Sequence, residues 1–198
     1  MKIGVIVGSV RANRFAGYPA QWIADLAAKM PGTAIVLLDL MDFDLPFVGN
    51  PRREDASDSK SEEEVARWRK EISACDAFIV TAAEYNHGPT AVLKNAMDSA
   101  GEEWHNKPVA FVGYGGVGGA RAVEQLRLVA IELRMAPIRN AVHILWPVYV
   151  AVAREGKSLG EFEYLNEGAN ELLAQLMWWA RVLKWGRRSH PSDLSLVQ

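Results

Sequence analysis

Short apolar segments alternate with helical patterns along most of the chain. Nearly continuous apolar segments, mostly bounded by Gly, Asp or Pro, occur at Ile3–Val7, Ala34–Leu38, Ala77–Ala82, Val109–Val112 and Val142–Leu145. Strands that are covered on both faces have this composition. Apolar side chains recur at helical spacing in five segments, the last from about Glu161 to Lys184. The alternation predicts an α/β fold with a five-stranded parallel sheet and helices on both of its faces.

The 198 residues suit one domain of ordinary size. We expect residues 1–185 to form that domain and residues 186–198, which contain Gly186, two arginines and Pro191, to be a loosely held tail. The connection Asp39–Ser61 is longer than most loops in a compact domain. Connections of that length are usually functional or mobile.

Charge and cysteine content narrow the class of protein. The net charge of −2 gives no indication of a nucleic-acid or membrane-surface partner. No apolar segment reaches the roughly 18 residues of a membrane span. The single cysteine, Cys75, cannot form an intrachain disulfide, and its place on an apolar helix face predicts a buried thiol. With one cysteine and no membrane span, we expect a cytoplasmic protein. The histidines and the cysteine lack metal-ligand spacing, so we expect no metal site.

The turn after the first apolar segment has the chemistry of an anion site. It reads Gly8-Ser9-Val10-Arg11-Ala12-Asn13-Arg14 and precedes a helical pattern. Amide groups and the dipole at a helix start favour an anion. Ser9 and Asn13 add hydrogen bonds, and the two arginines add charge. The glycine spacing fits neither a dinucleotide loop nor a P-loop, so we expect a terminal phosphate; a helix cap with two surface arginines is the alternative.

The second turn concentrates polar and aromatic groups in one corner. Glu84-Tyr85-Asn86-His87-Gly88 follows the third apolar segment and precedes a helical pattern that opens near Thr90. Such corners line the ligand crevice of α/β sheets, so we expect backbone groups here to read the edge of a planar heterocycle beside Tyr85. We interpret His87 as a hydrogen-bonding or rim residue. We interpret Glu84 as an anchor that caps nearby backbone donors rather than as a general base.

The third turn, Gly113-Tyr114-Gly115-Gly116-Val117-Gly118-Gly119, matches the pattern G-x-G-x-x-G. A dinucleotide-binding fold is therefore one interpretation. The next strand, however, ends at Ile144-Leu145-Trp146-Pro147 without an acidic residue for a ribose hydroxyl. We favour a backbone-lined wall whose glycines let a flat ligand approach closely. A site with little side-chain chemistry of its own is what a redox cofactor requires.

Taken in order, these motifs resemble the NADPH-dependent FMN reductase family, which has a flavodoxin-like fold and includes flavin, quinone, azo-dye and chromate reductases. The matching segments are Gly8–Arg11, Glu84–His87, Leu93–Asp98, Lys107–Ala110, Gly113–Gly116 and Gly119–Arg127. The likeness covers roughly residues 2–145. It implies a flavodoxin-like three-layer fold and an NAD(P)H-dependent FMN oxidoreductase that prefers NADPH. The chain departs from the family at Ala83, where a proline is usual.

The resemblance also implies a set of cofactor-binding residues. The phosphate of FMN is expected on Ser9, Arg11, Asn13 and Arg14. The isoalloxazine ring is expected against Glu84, Tyr85, Asn86, His87, Tyr114, Gly115 and Gly116. No side chain is expected to be catalytic, because N5 of the flavin takes the hydride from NADPH. Electrons then pass, in a ping-pong scheme, to a small acceptor such as a quinone, free flavin, azo compound or metal oxyanion.

The resemblance further implies a homodimer or homotetramer with flavin sites near the subunit boundary. Trp178, Trp179 and Trp185 are assigned to the core or to that boundary. Three other functions stay open: a flavodoxin-type electron carrier, which is usually far more acidic than this chain; a flavin-binding sensor; and a dehydrogenase that uses the turn at Gly113–Gly118. The physiological acceptor is not determined by the sequence.

Overall fold

The structure, a computed structural model, describes residues 1–48 and 59–189. Residues 49–58 of the long connection and residues 190–198 of the expected tail lie outside the described residues. The strands are β1 (Lys2–Val7), β2 (Ala34–Asp39), β3 (Ala77–Ala83), β4 (Pro108–Tyr114) and β5 (Ala136–Ile144). The helices are α1 (Gly17–Ala28), α2 (Ser59–Ala74), α3 (Ala91–Asp98), α4 (Ala120–Glu132), α5 (Trp146–Glu155) and α6 (Glu163–Ser189).

All five strands are parallel and follow the order β2-β1-β3-β4-β5. This is the flavodoxin-like order, and its topological switch point lies between β1 and β3. The predicted parallel sheet is therefore confirmed. Because the carboxyl ends of parallel strands meet at one edge, the turns after β1, β3 and β4 lie side by side there.

Two apolar layers cover the sheet. Helices α1, α5 and α6 pack on one face, and α2, α3 and α4 pack on the other. All seven residues of β3 are buried, as its nearly continuous apolar sequence predicted. Cys75 is buried in the second layer, where burial raises the pKa of its thiol to about 11. The prediction of a buried thiol is confirmed.

The chain after β4 differs from the prediction. β5 begins at Ala136 rather than Val142 and lies at the edge of the sheet, where only three of its nine residues are buried. Leu145 is not part of the strand but precedes α5, a sixth helix that the sequence analysis missed. The first eight residues of α5 are all apolar or aromatic, so the segment lacks the alternation of apolar and polar positions that indicates a helix.

The last helix is longer than predicted. It extends to Ser189, past the expected end at Lys184 and past the expected domain boundary at residue 185. Arg187 on this extension donates to the carbonyl oxygen of Asn106 at 2.5 Å and lies 3.4 Å from the carboxylate of Asp76. The first residues of the expected tail are thus fastened to the domain.

Two of the three tryptophans on α6 lie outside the core. Trp178 and Trp185 are exposed, whereas Trp179 is partly buried against the core. Of the two predicted locations, the core therefore applies to Trp179 but not to Trp178 and Trp185, whose place at a subunit boundary stays a prediction. Within residues 1–48 and 59–189, no helix combines the length and apolar character needed to cross a membrane.

Candidate active site

The three turns enclose a cavity of about 250 Å³ at the carboxyl edge of the sheet. Nine of the eleven residues predicted to bind the cofactor line it: Ser9, Arg11, Asn13, Arg14, Glu84, Tyr85, Tyr114, Gly115 and Gly116. A second cavity of about 270 Å³ adjoins it on the other side of Tyr85 and shares Ser9 and Arg11. A larger cavity of about 710 Å³ follows the outer side of α1 and contains only Arg14 of this set. We therefore take the cavity between the turns as the candidate site.

The turn after β1 is fixed by hydrogen bonds from the neighbouring strand and helix. The amide of Gly8 donates to Thr81 Oγ1 at 3.2 Å, and Thr90 Oγ1 donates to the carbonyl oxygen of Gly8 at 2.6 Å. Ser9 is almost completely buried, and its hydroxyl lies 3.3 Å from that of Tyr85. The turn is thus held in place by contacts within the protein.

The same turn presents donors without acceptors. The amides of Val10, Ala12 and Asn13 have no hydrogen-bond partner among the described residues. Arg14 forms an ion pair with Asp39 through Nη2, while its Nη1 is buried and has no partner within residues 1–48 and 59–189. A buried donor without an acceptor costs about 1–3 kcal/mol. These free donors fit an anionic group such as the phosphate of FMN.

The turn after β3 is a tight hairpin turn with a two-residue loop. The backbones of Tyr85 and Gly88 exchange two hydrogen bonds, at 2.9 and 3.1 Å. Asn86 and His87 between them have positive φ angles of 48° and 77°, as a type I′ turn requires. Both residues are exposed at the tip and neither lines the cavity. The structure therefore does not bring Asn86 and His87 together with the other predicted residues.

Glu84 anchors the second turn to the start of α4. Its carboxylate accepts a hydrogen bond from Arg121 Nε at 2.6 Å, pairs with Arg121 Nη2, and accepts from the amide of Arg121 at 3.1 Å. Burial favours a higher pKa for Glu84, but the hydrogen bonds from Arg121 outweigh it and hold the pKa below its usual value. The interpretation of Glu84 as an anchor is confirmed. Its carboxylate is already engaged and is not available as a general base.

The glycines of the third turn have two different roles. Gly115 and Gly116 line the cavity, and a Cβ built on Gly116 would meet nothing within 4 Å. A Cβ on Gly113 would lie 2.5 Å from the carbonyl oxygen of Gly118, and one on Gly119 would lie 2.6 Å from the amide of Tyr114. The two glycines that line the cavity are the two that the sequence analysis assigned to the cofactor. Gly113 and Gly119 serve the close packing of β4 against the start of α4.

The cavity also contains residues that the sequence analysis missed: Phe15, Ala83, Trp146 and Tyr149. Trp146 and Tyr149 stack with ring centroids 4.8 Å apart and an interplanar angle of 8°. Trp146 nevertheless remains 48% exposed. The available signal was an aromatic residue directly after the last strand, because every strand of a parallel sheet ends at the same edge. This signal was overlooked because the sequence analysis did not identify α5, which begins at Trp146.

Comparison with known proteins adds independent findings. A family model described as NADPH-dependent FMN reductase matches residues 1–145. The chain is 34% identical over 144 residues to an NAD(P)H-dependent FMN reductase of Schizosaccharomyces pombe, covering 71% of this chain and 72% of that protein. It is 32% identical over 143 residues to a 2-hydroxy-1,4-benzoquinone reductase of a Burkholderia species, covering 67% of this chain and 72% of that protein.

A solved structure shares the fold. The chain superimposes on FerB, a flavoenzyme NAD(P)H:(acceptor) oxidoreductase from Paracoccus denitrificans, with a TM-score of 0.67. The aligned region covers 92% of this chain and 97% of FerB, at 21% sequence identity. At this identity the likeness establishes the fold alone.

Proposed function

The chain belongs to the NADPH-dependent FMN reductase family and is an NAD(P)H-dependent FMN oxidoreductase; we propose that it reduces small-molecule acceptors, quinones foremost, by a ping-pong mechanism. The observation that carries this proposal is the gathering of nine predicted residues around one cavity, where donors of the first turn lack partners among the described residues. FMN, when bound, accepts a hydride from NAD(P)H and passes electrons on to the acceptor. The residues of the protein then bind FMN, orient the reactants and shield them from water.

The residues that line the cavity support a reaction that FMN carries out without a catalytic side chain. The donors of the first turn, including Ser9 and the two arginines, suit a phosphate group. The carboxylate of Glu84 is occupied by Arg121, and burial raises the pKa of Tyr114. No residue lining the cavity within the described part of the chain therefore offers a free acid or base near neutral pH. Positioning of the reactants supplies the rate.

Quinones are the acceptor class that the cavity fits best. The open part of the Trp146 ring at the cavity provides a flat apolar surface for a planar ring. The Burkholderia relative is named for a benzoquinone substrate. Free flavins and azo compounds are also planar and belong to the same proposal, whereas metal oxyanions gain nothing from stacking.

Anaerobic spectroscopy tests the function. Purified protein loaded with FMN is titrated with NADPH and NADH, and the flavin absorbance is followed; 1,4-benzoquinone is then added. We expect bleaching by at least one nicotinamide, recovery with quinone, and parallel double-reciprocal plots in steady state. If the protein binds FMN but neither nicotinamide bleaches the bound flavin, the protein would instead be an electron carrier or a sensor. Tight NAD(P) binding without flavin would identify a dehydrogenase.

The remaining expectations are part of the proposal. We propose NADPH as the preferred donor, a cytoplasmic location, and a homodimer or homotetramer. Leu128 and Ile131 on α4 are exposed apolar residues that suit a subunit boundary. Comparison of kcat/KM for the two nicotinamides tests the first point, and light scattering of the purified protein tests the assembly.

Replacing Arg11 with alanine is expected to weaken FMN binding about 10- to 150-fold. A lost hydrogen bond to a charged group costs about 1.5–3 kcal/mol, and Arg11 is an exposed cation at the cavity. Fluorescence titration with FMN measures the effect, and riboflavin, which lacks the phosphate, should bind as before. Arg181→Ala on the exposed side of α6 is the matched control. Unchanged FMN affinity in Arg11→Ala would locate the phosphate elsewhere.

Replacing Trp146 with alanine is expected to lower kcat/KM for planar quinones about 2- to 12-fold. An aromatic stacking contact contributes about 0.5–1.5 kcal/mol. Ferricyanide, which cannot stack, should be reduced at the wild-type rate, and Trp146→Phe should retain most of the quinone activity. Equal losses with quinone and ferricyanide would contradict a role in acceptor stacking.

A further inference from the structure

Asp39 lies at the carboxyl end of β2, beside the turn after β1. Both of its carboxylate oxygens are engaged. Oδ1 accepts a hydrogen bond from the amide of Met41 at 2.9 Å, and Oδ2 pairs with Nη2 of Arg14. The hydrogen bond from the amide of Met41 fixes the carboxylate relative to the sheet. The carboxylate in turn fixes one nitrogen of the guanidinium.

The other terminal nitrogen of Arg14 is the one without a partner. Nη1 is buried and unbonded within residues 1–48 and 59–189, although the Arg14 side chain as a whole is 18% exposed. Arg14 lines the cavity together with Ser9, Arg11 and Asn13. A guanidinium offers its donors in a rigid planar fork. Holding Nη2 on Asp39 therefore determines where Nη1 lies, and that nitrogen lacks an acceptor.

We propose that Asp39 is a positioning residue for the phosphate of FMN: it holds Arg14 by one nitrogen so that the other is ready to bind the phosphate. The inference rests on the proposed function, because it assumes that FMN occupies this cavity. It assigns Asp39 a role in selecting FMN over riboflavin, although Asp39 itself does not line the cavity.

Asp39 has two opposing effects on the affinity for FMN. The inference is testable because removal of Asp39 changes that affinity in a different direction for each effect. A free arginine side chain loses up to about 2 kcal/mol of rotamer entropy when it is immobilised, and the ion pair with Asp39 meets that cost before FMN binds. The negative charge of Asp39, in contrast, repels a phosphate. If positioning dominates, removing Asp39 weakens FMN binding; if repulsion dominates, removal strengthens it.

Titration of FMN and riboflavin into the full-length apoprotein tests the role of Asp39. We expect Asp39→Ala to weaken FMN binding about 3- to 10-fold and to leave riboflavin binding unchanged. Asp39→Asn should also weaken it, because Met41 and Arg14 donate to different carboxylate oxygens and the asparagine NH2 group would replace one of these acceptors with a donor. In the Arg14→Ala background, Asp39→Ala should cause no further loss of FMN affinity. Asp98→Ala, which removes the partner of Lys94 on α3, is the matched control and should bind both flavins normally.

The outcomes separate this inference from the proposed function. Wild-type protein that binds neither flavin would overturn the proposed function. Wild-type protein that binds FMN, with Asp39→Ala binding it equally or more tightly, would overturn only the role of Asp39. The same holds if Asp39→Ala weakens FMN binding to the same extent with and without Arg14. Unchanged riboflavin affinity shows that the variant site is folded.

Discussion

Replacing Gly8 with alanine is expected to destabilise the protein by about 3 kcal/mol or more and to abolish detectable FMN binding. A Cβ at this position would lie 2.2 Å from the carbonyl oxygen of Thr81. Thr81 belongs to β3, whose residues are all buried and which pairs directly with β1. Neither strand can move away without breaking the sheet, so the cost exceeds the 1–3 kcal/mol typical of ordinary overpacking.

Thermal unfolding and FMN titration of Gly8→Ala measure the two effects. Gly17→Ala is the matched control, because a Cβ on Gly17 at the start of α1 would meet nothing within 4 Å. We expect that control to be neutral or stabilising by up to about 1 kcal/mol, since alanine restricts the unfolded chain. A Gly8→Ala protein with wild-type melting temperature and FMN affinity would contradict the arrangement of the first turn.

Replacing Glu84 with alanine is expected to lower the free energy of unfolding by about 2–4 kcal/mol. The side chain of Glu84 is only 3% exposed, and its carboxylate supplies the cap that α4 lacks at its own N-cap residue, Gly119. Loss of a helix cap costs about 1 kcal/mol, and loss of hydrogen bonds to a charged group costs about 1.5–3 kcal/mol. Urea unfolding of the two proteins measures the difference.

The effect of Glu84 should depend on pH. Its pKa in the folded protein lies below the usual value of 4.5, because the hydrogen bonds from Arg121 outweigh the opposing effect of burial. A carboxylate with a lowered folded-state pKa stabilises the protein above its unfolded-state pKa and loses this contribution as pH falls through the folded-state pKa. The stability gap between wild type and Glu84→Gln, which keeps the shape but not the charge, should therefore be constant near neutrality and shrink below about pH 4.5. A gap that is unchanged at pH 3 would argue against the ion pair.

Most of the candidate site could be predicted because it lies at the ends of strands. Nearly continuous apolar segments located β1, β3 and β4, and residues that directly follow parallel strands must share one edge of the sheet. Nine of the eleven proposed residues consequently line one cavity. Asn86 and His87 do not, because they form the exposed centre of a tight turn with two positive φ angles. Local motif matching does not report the path of the backbone within a turn.

The sequence by itself determined the parallel α/β fold, the buried thiol of Cys75 and the anchoring role of Glu84. Its periodicity sets secondary structure, and the chemistry of each turn is visible in a few consecutive residues. Only the tertiary structure decided which distant residues meet: Arg14 with Asp39, Glu84 with Arg121, and Trp146 with the cavity between the three turns. These contacts depend on strand order, on the start of a short helix and on the approach of one backbone to another. None of these leaves a periodic signal along the chain.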